Sequence, residues 1–165
     1  MFSKPLPKAD QRLLNEGAKL ITAEETRWRK CHLKTTSLVA NVLHKQLAQD
    51  AGADEAILIR DGYAQECSAS NFFIVSNGAV MTPPKSQHLL PGITRDHIID
   101  LLKHNDISIS ESPLTLDDLR QADEIWVTSS IKEVTAATEL DGKPVGDGLP
   151  GQHWKIIYQL FQQSK

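Results

Sequence analysis

Three of the four Asx-Gly pairs, Asp61-Gly62, Asn77-Gly78 and Asp141-Gly142, constrain this chain more than any other feature. Such a pair tolerates positive φ at two successive residues. That is the backbone of a two-residue hairpin whose twist matches its flanking strands. The pairs sit between β-favouring runs, so they predict hairpins joining 55–60 to 63–67 and 71–75 to 79–82, with a third turn after 134–139. Further extended runs are read at 18–21, 26–33, 107–111 and 124–128. Apolar residues at helical spacing (Leu38, Val39, Val42, Leu43, Leu47) predict a helix over 36–49, closed by Gly52. Other helices are expected over 94–104, over 114–120 and over 154–161, the last amphipathic. Hairpins interrupted by a few helices predict an α+β domain around a curved, mainly antiparallel sheet or pseudo-barrel. The polar, proline-bearing start (Pro5, Pro7, Lys8, Asp10) reads as a lead-in with little core of its own.

At 165 residues the chain is one domain or a piece of a larger protein. A net charge of −3 provides no basic field for nucleic acid or anionic lipid. Cys31 and Cys67 are far apart, which suggests reduced thiols rather than a disulfide scaffold or a zinc site. No apolar run reaches membrane-spanning length and the start shows no signal segment, so a cytoplasmic protein without metal, membrane or nucleic-acid partners is expected.

Four local patterns carry candidate chemistry. In Leu90-Pro91-Gly92-Ile93-Thr94-Arg95-Asp96 a Pro-Gly stop feeds a helix start, where unpaired N–H groups and the helix dipole can receive a phosphate. A plain helix cap has the same look. Lys34, at the junction of an extended stretch and a helix, is a candidate amine nucleophile if partly withdrawn from water. A solvated surface lysine is the simpler reading. Glu66, late in a hairpin strand, is placed to pair with a protonated ring nitrogen, or is an ordinary strand-end acid. Ser68, Ser70 and Asn71 follow it as hydrogen-bonding groups or as turn formers. Thr128-Ser129-Ser130 ends the buried strand and can complete a phosphate cup or simply turn the chain.

Taken in order, the segments Arg27-Trp28-x-x-Cys31-x-x-Lys34, Asp54-Glu55-Ala56-Ile57-Leu58, Glu66-x-x-x-Ser70-Asn71-x-Phe73, Leu90-x-Gly92-Ile93-Thr94-Arg95, Ala122-Asp123-Glu124, Thr128-Ser129-Ser130-x-x-Glu133 and Asp141-Gly142-Lys143 resemble the fold-type IV (class IV) pyridoxal-phosphate aminotransferase family. The resemblance runs from about Arg27 to the C-terminus. It implies the large, C-terminal domain of the D-amino-acid aminotransferase-like fold, with pyridoxal 5'-phosphate as cofactor. Lys34 matches the lysine that holds the cofactor as an aldimine and then moves the substrate α-proton. Glu66 matches the partner of the ring nitrogen. Ile93, Thr94, Ser129 and Ser130 match the phosphate site, and Leu90 the residue packed on the ring. Arg27, Ser70 and Asn71 are expected to support these from behind.

Within the family, the Arg-Trp and Cys-x-x-Lys spacing with Gly-Ile-Thr-Arg-Asp looks most like D-amino-acid aminotransferase. That implies a D-amino acid such as D-alanine and 2-oxoglutarate as substrates. Branched-chain aminotransferases usually carry tyrosine five residues after the lysine, where Val39 stands. Aminodeoxychorismate lyases, which form 4-aminobenzoate and pyruvate, usually carry methionine where Thr94 stands. A non-catalytic scaffold is the remaining alternative. Family members carry a smaller N-terminal domain ahead of this one and act as homodimers. The expected organisation is therefore a linker remnant over 1–20 and the cofactor domain over 21–165, without the small domain. Impaired turnover and an exposed apolar surface are expected to follow.

Overall fold

The fold is taken from a computed structural model, which describes residues 10–165; the prolines and lysine of the lead-in, Pro5, Pro7 and Lys8, lie outside the described residues. The elements are α1 (Gln11–Glu16), β1 (Ala18–Glu24), α2 (Val39–Asp50), β2 (Glu55–Arg60), β3 (Tyr63–Cys67), β4 (Asn71–Ser76), β5 (Ala79–Thr82), α3 (Ile93–His104), β6 (Ile109–Glu111), β7 (Leu114–Thr115), α4 (Leu116–Arg120), β8 (Glu124–Ser129), β9 (Glu133–Leu140), β10 (Lys143–Pro144) and α5 (Gln152–Gln163). All ten strands form one curled sheet in the order β6-β5-β4-β8-β9-β1-β2-β3-β7, with β10 on β9.

The Asx-Gly pairs turn as their chemistry predicts. Asp61 and Gly62 have φ of 52° and 82°, and Asn77 and Gly78 have 50° and 78°. Most ladders are antiparallel, but β1 runs parallel to both β2 and β9, and β5 parallel to β6. The sheet is therefore mixed, a curled half-barrel with helices against it.

Period-2 alternation separates two cores. Phe72, Ile74, Ile125 and Val127 join Leu20, Ile57 and Leu140 in one cluster. Their neighbours Phe73, Val75 and Trp126 point the other way and pack with Ile98 and Leu102 of α3 and Trp154 and Ile157 of α5. Glu124 fixes the start of α5, its carboxylate accepting from the backbone N–H groups of His153 and Trp154, each at 2.9 Å.

β1 begins at Ala18, where the sequence predicts an extended run, so the last residues of the 1–20 stretch join the sheet, and Ala18 and Leu20 are buried between β9 and β2. The central place of β1 is a further feature: short local runs do not reveal that a strand is central, because its partners are remote in sequence. Two expectations change. Residues 26–33 form bends and a turn rather than an extended run, with Arg27 reaching across to the distant Glu66 carboxylate. The apolar stripe of α2 faces outward: Val39, Val42, Leu43 and Leu47 are all at least half exposed, while Ala48 packs with Ala56 and Leu58 and the buried His44 meets the Glu24 carbonyl. Helical spacing marks an apolar face but not what covers it.

Candidate functional site

β2 and β3 set the position of Glu66. Between the pairs Ile57↔Cys67 and Ile59↔Ala64, β2 advances two residues while β3 covers three, which places a bulge at Gln65–Glu66. The bulge breaks the alternation, so Ala64 and Cys67 both belong to the inner cluster with Glu66 between them. Glu66 is 4 % exposed.

Its carboxylate is held by three donors. Arg27 Nη1 lies 2.6 Å from Oε1. Asn71 Nδ2, at 3.2 Å, and the Leu90 backbone N–H, at 3.0 Å, donate to Oε2. Arg27 is buried and also grips Glu25, its Nε donating to Oε2 at 2.8 Å and its backbone N–H to Oε1 at 2.7 Å. Arg60 Nη2 donates to the Arg27 carbonyl at 2.9 Å and stands 4.0 Å from Glu25. Two guanidinium groups thus face two carboxylates.

The two acids respond differently. Burial pushes Glu66 up to about 7, although Arg27 and the Leu90 N–H pull it down. Burial also acts on Glu25, but Arg27 gives that acid most of its donors and holds it below its ordinary value. Loss of hydration outweighs a single guanidinium contact at Glu66 and loses to several at Glu25.

Asn71 joins this end of the site to the helix start. Its Nδ2 donates to the Leu90 carbonyl at 2.9 Å, and its Oδ1 accepts from the Gly92 N–H at 3.2 Å. A Cβ on Gly92 would collide with that same Oδ1, so the close approach requires glycine. Gly92 caps α3 without a side-chain bond, and the first intrahelical bond runs from Asp96 N to Gly92 O at 3.0 Å. The N–H groups of Ile93, Thr94 and Arg95 therefore have no intrahelical partner.

Asn71 pairs with Thr128 across the β4–β8 ladder, which brings the end of β8 beside the α3 start. Thr128 Oγ1 is buried and has no hydrogen-bond partner among the described residues. Ser129 Oγ accepts from the Lys132 N–H at 3.0 Å and so shapes the β8–β9 turn; Ser130 is exposed in that turn.

The chain crosses between these ends through the connection from β1 to α2. Arg27 anchors it beside Glu66, and Asn41 Nδ2 anchors its far side by donating to the Ser68 carbonyl at 2.8 Å. Lys34 lies between these anchors. It is exposed and makes no hydrogen bond among the described residues, contrary to the expected shielding, because nothing described packs over 32–39. Leu90 is half-buried, Ile93 is exposed and Thr94 is buried.

Sequence reasoning missed Glu25, Arg60 and Glu55. For Glu25 the signal was present: Glu25-Thr26-Arg27 spaces two opposite charges two residues apart. Arg60 and Glu55 look like ordinary strand-end charges. No group of His, Cys, Asp or Glu suited to a metal occurs among the described residues. Among them no helix is long and apolar enough to cross a membrane.

Comparison with known proteins places the chain in one family. The family model for amino-transferase class IV covers residues 1–140. A D-alanine aminotransferase of Bacillus licheniformis is 37% identical over 163 residues, 99% of this chain and 57% of that protein. One from Listeria innocua is 40% identical over 162 residues, 98% of this chain and 56% of that protein. The crystal structure of an Escherichia coli branched-chain amino acid aminotransferase superposes with a TM-score of 0.85 at 30% identity, covering 94% of this chain and 53% of that one. An aminotransferase from Brucella abortus bound to its cofactor PLP superposes at 0.82 with 25% identity, over 99% of this chain and 57% of that one. The chain thus spans a little over half the length of these relatives. Matched over most of its length in sequence and in fold, the chain belongs to the amino-transferase class IV family.

Proposed function

We propose that this chain carries a pyridoxal 5'-phosphate site and serves transamination between an amino acid and a 2-oxo acid, with D-alanine and 2-oxoglutarate as the favoured pair. The observation that carries the reading is the buried Glu66 carboxylate. It accepts three hydrogen bonds. A carboxylate accommodates about four, so one position remains for a ring N–H.

The phosphate end fits as well. The α3 start has unpaired N–H groups, and the buried Thr128 hydroxyl lacks a partner among the described residues. An anion with several acceptor oxygens answers both needs. Ile93, Thr94, Ser129 and Ser130 would hold the phosphate, Leu90 would pack on the ring, and Lys34 would attach the aldehyde carbon through Nζ. Arg27, Ser70 and Asn71 would hold these groups in place.

When bound, pyridoxal phosphate supplies a cationic conjugated ring that takes up the electron pair left at the substrate α-carbon. Glu66, backed by Arg27, would hold a ring N–H at its remaining acceptor position. Lys34 Nζ would accept the substrate α-proton and return it. Its exposed loop leaves it room for both tasks.

The identity to D-alanine aminotransferases supports that substrate, as does Val39 five residues after Lys34. The fold match to the branched-chain enzyme supports transamination of a branched-chain amino acid as the second reading. The proposal extends to a cofactor domain over 21–165, carried back to Ala18 by β1, and to a homodimer in the cytoplasm. The outward apolar face of α2 supports a protein partner, and buried free Cys31 and Cys67 support a reducing compartment.

Borohydride reduction after incubation with pyridoxal phosphate should leave a phosphopyridoxyl group on the Lys34 peptide and none in Lys34→Ala. Scattered labelling that Lys34→Ala does not change would sink the site. Pyruvate formation from D-alanine and 2-oxoglutarate, set against turnover of a branched-chain amino acid, decides the substrate.

A further inference from the structure

Glu55 opens β2 and is 1 % exposed, yet none of the roles above uses it. Its carboxylate accepts from Ser68 Oγ and, at 3.3 Å, from Ser70 Oγ. It thereby grips the loop that joins Glu66 to Asn71. The same Oε2 stands 3.3 Å from Lys132 Nζ. Lys132 belongs to the β8–β9 turn. Its backbone N–H donates to Ser129 Oγ at 3.0 Å, and its carbonyl accepts from Thr135 Oγ1 at 3.0 Å. Lys45 of α2 donates to the Asp54 carbonyl and so backs the same corner.

One buried carboxylate therefore links the segment after Glu66 to the turn that holds Ser129 and Ser130. A buried carboxylate is costly to leave unpaired. Displacing the turn would strand Glu55, and displacing the Ser68–Ser70 loop would do the same. The geometry makes the spacing between the two ends depend on this contact.

We propose that Glu55 and Lys132 are a positioning pair that sets the phosphate end of the site, at Ser129–Ser130, relative to the carboxylate end, at Glu66. The proposal rests on the pyridoxal phosphate reading. Neither side chain is assigned contact with the cofactor. Both act through the segments they hold.

The test compares binding of pyridoxal phosphate with binding of pyridoxal, which lacks the phosphate, in the wild type, Lys132→Met, Lys132→Arg and Glu55→Gln. Lys132 is partly exposed, so Lys132→Met tests the pair without emptying a buried site. Lys132→Met should weaken pyridoxal phosphate binding roughly tenfold and pyridoxal binding less than about twofold, with Lys132→Arg close to wild type. In the cofactor-free protein, the amide at position 132 should exchange on the order of tenfold faster in Lys132→Met, as the turn loosens. Equal loss for both ligands, or no loss for either, overturns the positioning role and leaves the site reading standing. A wild type that binds pyridoxal phosphate no better than pyridoxal overturns the site reading, and the positioning role falls with it.

Discussion

Arg27 Nη1 and Glu66 Oε1 stand 2.6 Å apart, with both side chains about nineteen-twentieths buried, at 6% and 5% exposure. Removing one partner of such a pair leaves the other charge buried without compensation. Arg27→Met should cost about 3–5 kcal/mol of stability in urea unfolding. Adding Glu66→Gln to it should recover part of the loss, because the stranded carboxylate is gone. Strict additivity of the two changes would show that the pair is not coupled.

The titration of Glu66 should appear in the stability of the cofactor-free chain. Its carboxyl is raised from 4.5 to about 7 by burial. A raised acid binds its proton more tightly in the folded chain than in the unfolded one. Its stabilising contribution is therefore complete below pH 4.5 and is lost as pH rises through about 7. Relative to Glu66→Gln, the wild type should lose on the order of 3 kcal/mol between those limits. Urea unfolding of both proteins across this window reads the effect, and a constant difference would place the titration of Glu66 elsewhere.

Asn71 connects three segments at once, bonding Glu66, the Leu90 carbonyl and the Gly92 N–H. Asn71→Ala should destabilise by about 1–3 kcal/mol, since it leaves buried groups unpaired. Gly92→Ala should act at the same place, because its Cβ meets the Asn71 amide oxygen. The double variant should cost less than the sum. Thermal melting of the set decides it, and full additivity would mean that the two positions are independent.

Lys34 presents the opposite case. It is exposed and contributes no hydrogen bond among the described residues. Lys34→Ala should leave unfolding within about 0.5 kcal/mol of wild type while abolishing borohydride-trapped label. A large stability loss would mean that the lysine supports the fold rather than the chemistry.

Much of this architecture is legible from local chemistry. Asp61-Gly62 and Asn77-Gly78 favour positive-φ hairpin turns between β-favouring runs, so β2–β3 and β4–β5 follow from adjacent residues alone. The start of α3 is equally local, since Pro91-Gly92 stops one conformation and Ile93 begins the next. Seven short segments in order, from Arg27-Trp28 to Asp141-Gly142-Lys143, carried the family resemblance.

Partnerships between distant residues were not legible. Arg27 meets Glu66 across 39 residues of sequence, and Lys132 meets Glu55 across 77. Nothing near Glu55 distinguishes it from a solvated strand-end acid, and nothing in the α2 stripe says which face the sheet will cover. Hairpin turns, helix starts and strand alternation are backbone preferences acting over a few residues, so the sequence by itself determined them. Which charges are stripped of water, which partners compensate them and which apolar face stays exposed depend on the assembled, curled sheet. Desolvation is a property of everything packed around a group, and only the tertiary structure decides it.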